Sequence, residues 1–398
     1  MKDGDDGHDA GNLNISTLNI KYPIIIWWNP LTGDLGKVKS CDGVTKCLFT
    51  TDRHFQHHPK TKVFLFYGSD FNMVDLPLPR KSHHEWGLFH EESPRNNYIL
   101  TQEEVITLFN HTATFKRSSD YPLTTQYLQK LEDLWDKKYF VPFEKKDSNR
   151  LTSPVVYIHS DCNPPSDRDS YVRELMKYIQ VDSFGRCLHN KDLPARLQNQ
   201  VIMDDKELYH ILAQYKFTLA IENAICDDYI TEKLWRPLTL GSIPIYKGSP
   251  TVRDWLPDNQ SAILIDDFSN PQELAKYLHF LLQNDEEYQK YLTYRSSGIK
   301  NEKLVKVMRA RAWGVNDYEK INFITGFECF VCRRIHENFQ REGRNEKPHF
   351  YLASGEHLSC PRPQAFELAR QSAINFYLHM FDRSKIEARD LRLRVIRN

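Results

Sequence analysis

The residues best suited to chemistry cluster in one stretch, residues 217–248. There an apolar run is followed by two carboxylates, an amide, a phenol and an ammonium group, supplied by Glu222, Asn223, Tyr229, Glu232 and Lys233. A lysine at a helix N-terminus, where backbone N–H groups also carry partial positive charge, forms an electropositive point suited to phosphate. The neighbouring acids and amide suit sugar hydroxyl groups. Alternatively, these side chains only satisfy a loop and cap a helix.

The same stretch contains the elements that would hold these groups in position. Phe217–Ile221 is a continuous apolar run, typical of a parallel strand buried on both faces, and residues 243–246 are its expected neighbour. Thr231 is the candidate N-cap of the helix between them, and Gly241 is its candidate C-terminal stop. Because open α/β sheets bind ligands beyond the carboxyl ends of their strands, a ligand site is predicted where the first strand meets the helix.

A second cation and a base are predicted elsewhere in the chain. Arg168 follows a predicted strand and loop, and its guanidinium suits bidentate contact with phosphate unless it only pairs with Asp167 or Asp169. Glu91 and Glu92 end another apolar run, and neighbouring side chains there point to opposite sides, so one can face a cleft. Cations for a diphosphate leaving group and a carboxylate base are what sugar transfer from a nucleotide requires.

Two patterns raise metal binding as an alternative. Asp167-Arg168-Asp169 matches the short Asp-x-Asp pattern with which some glycosyltransferases hold a divalent metal. Five further residues lie close in sequence without a zinc-binding spacing: His83, His84, His90, Glu91 and Glu92. Because Arg168 and Lys233 are available as fixed cations, we expect no essential metal or other cofactor.

The composition limits the class of protein. In 398 residues, 53 Lys and Arg balance 53 Asp and Glu, so no global field favours nucleic acid or an anionic membrane. A hydrophobic content of 40% is enough for sizeable cores, and the length predicts two domains. No apolar run approaches the roughly 18 residues of a membrane span, and the acidic start does not resemble a signal peptide. We therefore expect any membrane anchor to lie outside this sequence.

The cysteines and sequons bear on the compartment. Eight cysteines allow reduced thiols, metal ligands or four disulfides, and the CxxC motif of Cys329 and Cys332 by itself suggests zinc or redox chemistry. Three N-glycosylation sequons begin at Asn14, Asn110 and Asn259. Together with the even number of cysteines, they favour the secretory lumen.

The order of apolar and polar runs predicts two α/β domains. Residues 1–18 are polar and predict a stem or disordered terminus, followed by a first α/β domain at residues 19–150. Its predicted strands are residues 22–28, 63–67 and 85–90. Residues 151–315 form the second domain, and the pattern is less regular beyond it. Residues 383–398 predict a terminal helix that is either solvated or amphipathic and bound to a membrane or partner.

The order of residues in 217–248 resembles the α1,3-fucosyltransferase family. That family's hallmark is Phe-x-Leu-x-x-Glu-Asn, followed by Asp-Tyr-Ile-Thr-Glu-Lys-Leu and Gly-x-x-Pro-x-x-x-Gly. The match is complete, through Phe217, Leu219, Glu222, Asn223, residues 228–234, Gly241, Pro244 and Gly248. The resemblance covers roughly residues 22–335 and implies a GT-B fold, in which two Rossmann-like α/β domains face each other across a cleft.

The resemblance also implies an activity, the inverting transfer of fucose from GDP-fucose bound by the second domain. Within the family, the sequence is most similar to the divergent branch of α1,3-fucosyltransferases 10 and 11. That branch implies O-fucosylation of Ser or Thr in EMI-domain proteins. Transfer to GlcNAc of N-glycans is the alternative acceptor, and a non-catalytic lumenal binding protein is the alternative of another class.

The resemblance assigns roles to individual residues. Glu92, in a Glu-Ser-Pro segment, would be the general base. The residues implied at the donor are Arg168 and Lys233 for the diphosphate, and Asn223, Tyr229 and Glu232 for the ribose and fucose. Residues 115–120 would be either a wall of the cleft or solvated charge. The next residues after the Glu-Ser-Pro segment, Arg95-Asn-Asn, depart from the Ser/Thr-His usual in Lewis-antigen enzymes, which leaves the acceptor open.

Family members also cross-link the two ends of the chain. The resemblance therefore implies disulfides Cys41–Cys329 and Cys47–Cys332, which would return residues 316–398 to the first domain. The remaining cysteines would pair as Cys162–Cys187 and Cys226–Cys360, although the sequence leaves this pairing open. The implied compartment is the lumen of the endoplasmic reticulum or Golgi, with a type II membrane anchor in the full-length protein.

Overall fold

The computed structural model describes residues 20–146, 152–198, 205–315, 317, 319–364, 366 and 371–397. The terminus predicted at residues 1–18, the boundary predicted at residue 150 and the sequon at Asn14 lie outside these residues. The described chain forms two α/β units, each built on its own largely parallel sheet. This architecture confirms the predicted GT-B fold class.

The first unit contains a six-stranded sheet with the order β2-β3-β1-β4-β5-β6. Its strands are β1 (Ile24–Asn29), β2 (Leu35–Ser40), β3 (Lys46–Thr50), β4 (Thr61–Tyr67), β5 (Glu85–His90) and β6 (His111–Thr114). The predicted strands correspond to β1, β4 and β5. The edge strand β2 was not predicted because it is largely exposed and carries no apolar run, and it pairs antiparallel with β3.

The second unit contains a parallel sheet with the order β11-β10-β9-β7-β8. Its strands are β7 (Val155–Tyr157), β8 (Val181–Ser183), β9 (Phe217–Ile221), β10 (Ile243–Lys247) and β11 (Ile263–Leu264). A short parallel pair, β12 (Trp313–Gly314) and β13 (Ile321–Asn322), follows. The predicted pairing of β9 with β10 is confirmed, with Phe217 opposite Ile243.

The helices of the described chain surround these sheets. They are α1 (Glu103–Ile106), α2 (Phe143–Lys146), α3 (Arg168–Leu175), α4 (Ala195–Gln198), α5 (Lys206–Leu212), α6 (Glu232–Leu240), α7 (Pro271–Gln283), α8 (Asp285–Lys290), α9 (Tyr294–Ser297), α10 (Glu302–Ala310), α11 (Phe323–Gly343) and α12 (Gln371–Arg397). The predicted ends of α6 are confirmed. The Thr231 hydroxyl accepts from the backbone N–H of Lys233, and Gly241 ends the helix at a φ of 71° that favours glycine.

The connection between the units packs with the second unit before the predicted boundary at residue 150. Leu128, Leu134 and Phe143 lie in the hydrophobic core of the second unit. Lys146 is buried, and its Nζ donates to the carbonyl oxygens of Tyr215 and Gly241. The apolar side chains in this segment are too widely spaced to show as a strand, so their burial was not evident from the sequence.

The C-terminal segment covers both faces of the first sheet. Phe327 and Val331 of α11 pack on one face with Ile25 and Trp27, whereas Ala388, Leu391 and Val395 of α12 lie in the core on the other face. The CxxC motif is therefore helical, although the sequence pattern there predicted no regular element. Its cysteines lie three residues apart on one face of α11, and they bond Cys41, just after β2, and Cys47, within β3.

Four disulfides stabilise this arrangement. The bonded pairs are Cys41–Cys329, Cys47–Cys332, Cys162–Cys187 and Cys226–Cys360. The first two join the first sheet to α11, as the family resemblance implied. Within the described residues, no helix combines the length and the apolar character needed to cross a membrane.

Candidate active site

A cavity of about 610 Å³ lies at the carboxyl ends of β7 and β9. The start of α6 forms one side, and the loop after β8 forms another. Four residues predicted at the donor line it: Arg168, Asn223, Glu232 and Lys233. An apolar floor is contributed by Leu197, Leu208, Leu212, Leu219 and Leu240. A pocket of this size, with convergent polar groups on an apolar floor, suits a nucleotide-sized ligand.

Arg168 is fixed inside the cavity wall rather than paired with a neighbouring acid. It is 1% exposed, and its Nη1 and Nη2 donate to the carbonyl oxygens of Ile221 and Asp161 over 3.1 and 2.8 Å. Asp169 instead accepts from the Tyr157 hydroxyl at 2.7 Å. Within the described residues, Arg168 has no carboxylate partner, so its charge remains available to an anionic ligand.

A buried carboxylate fixes the start of α6. Glu222 is 0% exposed and accepts from the backbone N–H of Thr231 at 2.8 Å and from the Thr231 hydroxyl. Burial raises the pKa of Glu222, and the nearby Lys233 charge opposes that rise. A Cβ on Gly248 would lie 2.5 Å from Cγ of Glu222, so this close approach requires glycine. Glu222 is therefore a structural residue of the site.

Lys233 and Glu232 form an ion pair at the N-terminal end of α6. The Lys233 Nζ lies 3.0 Å from Oε1 of Glu232 and 3.5 Å from Oε2 of Glu222. Burial by itself lowers the pKa of Lys233, but these two carboxylates outweigh it and raise the pKa. Burial likewise opposes ionisation of Glu232, yet the charges of Lys233 and Arg236 lower its pKa to about 2. Both side chains are consequently charged at neutral pH.

The two remaining donor residues differ in their placement. Asn223 lines the cavity, and its buried Oδ1 has no hydrogen-bond partner in the described part of the chain. Tyr229 is 2% exposed and packs edge-on against Phe115 of the first unit, with ring centroids 5.1 Å apart. Tyr229 therefore belongs to the interface between the units and not to the wall of the donor cavity.

Glu91 and Glu92 point to different surroundings, as expected at a strand end. The Tyr67 hydroxyl donates to Oε1 of Glu91 at 3.4 Å, and the other oxygen of Glu91 is buried without a partner in the described chain. Burial raises the pKa of Glu91 to about 7. Burial raises the pKa values of Tyr229 and Tyr127, and the charge of Glu92 raises both further, with Glu91 adding to the effect at Tyr127. The charge of Glu92 therefore acts on residues of the second unit.

An ion pair joins the loop of Glu92 to the wall of the donor cavity. Arg95 Nη1 lies 2.7 Å from Oδ2 of Asp161, and Arg95 Nη2 donates to Oδ1 at 3.1 Å. Asp161 lines the cavity, and its carbonyl accepts from Arg168. A chain of three residues therefore connects the predicted base loop to the predicted phosphate-binding arginine.

Residues 115–120 pack against the second unit through Arg117 and are not merely solvated charge. The backbone N–H and the guanidinium of Arg117 both donate to Asp228, over 3.1 and 2.9 Å, and Arg117 Nη1 donates to Asp254 at 2.6 Å. The Arg117 guanidinium also lies over the Trp255 ring, 4.7 Å from its centroid. These contacts tie the loop before α6 to the first unit. The nearby disulfide Cys226–Cys360 reinforces the connection.

Two residues of the site were missed from the sequence. Arg236 lines the cavity one helical turn after Glu232. Residues four positions apart lie on the same face of a helix, so the spacing from Glu232 could have indicated Arg236. Tyr127 lies in the connection between the units. Burial raises its pKa well above the ordinary value, and the charges of Glu232 and Glu92 raise it further. The charges of both units therefore act on the phenol of Tyr127, and no local sequence signal indicates that.

Neither alternative metal pattern brings three or more ligand atoms together in the described part of the chain. Metal binding needs several His, Cys, Asp or Glu ligand atoms close together. In the described residues, one group of three has its ligand atoms within 4.8 Å of one another: Cys47, Cys332 and His336. Its two cysteines are joined in a disulfide. In the Asp-x-Asp pattern, Asp169 is occupied by Tyr157 and by the backbone N–H of Asn163.

The two sequons in the described residues differ in accessibility. Asn110 is 3% exposed, its Oδ1 accepts from Trp86 and Arg80, and its Nδ2 donates to the carbonyl of Tyr351. This packing conflicts with the predicted glycan at Asn110, because the acceptor nitrogen is enclosed and already bonded. Asn259 is exposed and stays a predicted site.

Comparisons with known proteins identify the family. Residues 147–347 match the family model described as glycosyltransferase family 10 (fucosyltransferase) C-term, and residues 20–127 match the model described as fucosyltransferase, N-terminal. The chain belongs to glycosyltransferase family 10. The protein is therefore a fucosyltransferase, as the motif of residues 217–248 predicted.

Named relatives match the family 10 chain over most of its length. GDP-fucose protein O-fucosyltransferase 3 of Gallus gallus is 54% identical over 384 residues, which cover 95% of this chain and 81% of that protein. The Homo sapiens protein of the same name is 51% identical over 385 residues, covering 95% and 80%. A crystal structure of an α1,3-fucosyltransferase with GDP aligns at a TM-score of 0.46 and 17% identity, covering 80% of this chain and 90% of that chain.

Proposed function

We propose that this enzyme transfers fucose from GDP-fucose to the hydroxyl of Ser or Thr in a folded protein, with inversion at the anomeric carbon. The observation that carries the proposal is the cavity whose wall contains Arg168 and Lys233 and whose rim is joined to the loop of Glu92 by the Arg95–Asp161 ion pair. Two cations on one side and a carboxylate across the cleft are the groups that this displacement needs.

The donor half of the proposal follows from charge and shape. Arg168 and Lys233 would contact the diphosphate, and both are held by neighbouring groups before any ligand arrives. Such preorganised cations stabilise the charge that develops on the leaving diphosphate without a reorganisation cost. Asn223 and Glu232 would bind ribose or fucose hydroxyl groups, and Tyr229 would support that surface from the unit interface.

The acceptor half assigns the base to Glu92. Its carboxylate would take the proton from the Ser or Thr hydroxyl as the oxygen bonds to the anomeric carbon. The bond from that carbon to the β-phosphate oxygen breaks at the same time, and its electron pair leaves with GDP. Within the described chain Glu92 has no hydrogen-bond or ion-pair partner, so its carboxylate is available to accept a proton, which supports this role.

The names of the relatives support a protein acceptor, because they are GDP-fucose protein O-fucosyltransferases. We further propose EMI-domain proteins as acceptors, from the resemblance to the divergent family branch. The four disulfides support action in the oxidising lumen of the endoplasmic reticulum or Golgi. The exposed sequon at Asn259 is consistent with that compartment.

Fucose transfer from GDP-fucose would test the proposal with two acceptors, a folded EMI-domain protein and a GlcNAc-terminated N-glycan. We expect O-linked fucose on the protein, located by mass spectrometry at Ser or Thr. Turnover of the glycan alone would reject protein transfer and favour the α1,3-linkage. Absence of transfer to both acceptors, by an enzyme that binds GDP, would reject both.

A further inference from the structure

A second groove lies beside the donor cavity, along the opposite side of α6. Its volume is about 360 Å³, and it shares Glu232, Arg236 and Leu240 with the donor cavity. The remaining lining comes from α5, α6, Val315 and the connection between the units, and it is rich in aromatic residues: Tyr127, Tyr139, Tyr209 and Trp235. The groove therefore ends where Glu232 separates it from the donor.

The inner end of the groove lies near the predicted base. Tyr127 lines the groove together with Glu232, which also lines the donor cavity, and the charges of Glu232, Glu92 and Glu91 help to raise the pKa of the Tyr127 phenol. The acceptor hydroxyl must reach a point between Glu92 and the donor sugar. A ligand lying in this groove with one end at Tyr127 would bring its hydroxyl to that point.

The wall of the groove contains an unsatisfied donor and an unsatisfied acceptor. Trp235 is 0% exposed and its Nε1 has no hydrogen-bond partner in the described chain, and the same holds for Oε1 of Gln126, which is 7% exposed. Buried polar groups without partners cost free energy. A polypeptide offers one N–H and one C=O per residue, so a bound peptide segment could pair with these groups once a side-chain shift exposed them.

The rim carries charges of both signs. Asp133, Asp136, Lys138 and Lys206 lie around the outer part of the groove. Because the signs are mixed, the rim does not select for a strongly acidic or strongly basic ligand. Flat aromatic walls with adjacent amide and charged groups are typical of surfaces that bind polypeptide with defined orientation.

The structure assigns this groove to the acceptor: it binds the polypeptide segment that flanks the modified Ser or Thr, and Tyr127 positions the hydroxyl between Glu92 and the donor. The inference rests on the proposed function, since it names where that function's protein substrate lies. A saccharide acceptor is the competing occupant. It is separated from the peptide by the experiment below.

The experiment blocks the groove without touching the donor cavity. Thr239→Trp places a large side chain in the groove, and Tyr139→Ala removes an aromatic wall near the rim. The probe is a folded EMI-domain protein, whose binding to the GDP-loaded enzyme is measured by calorimetry independently of turnover. We expect both variants to weaken acceptor binding at least tenfold and to leave the affinity for GDP within about twofold of wild type.

Tyr178→Ala is the matched control, because Tyr178 is an exposed tyrosine outside both pockets, and it should bind the acceptor like wild type. Unchanged acceptor binding in both folded groove variants would overturn the assignment. Loss of binding to a GlcNAc-terminated glycan, with unchanged protein binding, would overturn it in favour of a saccharide. If wild type binds the acceptor protein but transfers no fucose, the proposed function fails while the groove assignment stands.

Discussion

Arg95 and Asp161 form a two-point ion pair across the cleft, with N–O distances of 2.7 and 3.1 Å. The Asp161 side chain is 46% exposed, so solvent screening leaves the pair a small contribution to the stability of the fold. The main effect of the ion pair is on the position of the loop. It holds the loop of Glu92 at a defined distance from the wall that contains Arg168.

Breaking this pair should therefore impair transfer more than stability. We expect Arg95→Ala to lower kcat/KM for transfer about tenfold while the melting temperature falls by only about 2 °C. The charge-swapped double variant Arg95→Asp, Asp161→Arg should recover part of the lost activity. Arg253→Ala is the control, because Arg253 forms a comparable exposed pair with Asp267 within the second unit. Equal losses in Arg95→Ala and the double variant would contradict the positioning role.

Adjacent carboxylates allow a direct test of the base. Glu92→Gln should lower kcat by about 10²–10⁴-fold and leave GDP affinity near that of wild type, since the amide cannot accept the proton. Glu91→Gln is the matched control, because Glu91 is the neighbouring carboxylate and is hydrogen-bonded by the Tyr67 hydroxyl. It should retain activity within about threefold. The opposite pattern, with Glu91→Gln inactive and Glu92→Gln active, would move the base to Glu91.

The role of Lys233 predicts a selective loss of affinity for the diphosphate. Lys233→Ala removes a cation from the cavity, leaves Glu222 without its counter-charge and leaves Glu232 with Arg236 alone. We expect affinity for GDP to fall about 10²-fold, measured by calorimetry, and affinity for guanosine to change little. Lys276→Ala, at an exposed pair with Glu273 on α7, serves as the control. Equal losses for GDP and guanosine would indicate a general collapse of the cavity.

Transfer should not depend on a divalent metal. Arg168 and Lys233 would supply positive charge to the diphosphate, and Asp169 of the Asp167-Arg168-Asp169 pattern already accepts two hydrogen bonds. We expect the rate to stay within about twofold after EDTA treatment and after addition of Mg²⁺ or Mn²⁺. A rate lost with EDTA and restored by Mn²⁺ would show that a metal is needed.

Glu91 predicts a pH dependence of stability. Burial raises its pKa from 4.5 to about 7, so the folded protein favours the protonated carboxyl. Between these two values the folded chain binds more protons at this group than the unfolded chain, and stability falls as pH rises. The contribution is at most about 3 kcal/mol. Glu91→Gln should therefore gain melting temperature relative to wild type at pH 8 and gain nothing at pH 4, as measured by thermal unfolding. A constant difference across pH would contradict the prediction.

The sequence by itself determined the donor half of this enzyme. The strand, cap, helix and second strand of residues 217–248 are specified by neighbours in sequence, namely an apolar run, Thr231 and Gly241. Such signals act over a few residues, so they can be recognised in the sequence before the fold is known. The positions of Asn223, Glu232 and Lys233 beside the cavity follow from that local geometry.

The tertiary structure decided everything that depends on distant segments meeting. It buried Tyr229 against Phe115, enclosed Asn110 within hydrogen bonds, and brought Tyr127 into one groove with Glu232. It also paired Arg95 with Asp161, 66 residues further along the chain. No local pattern records these contacts, because each arises when the packing of two α/β units brings side chains together. The donor site is thus a local property of the chain, and the acceptor side is a property of the assembled fold.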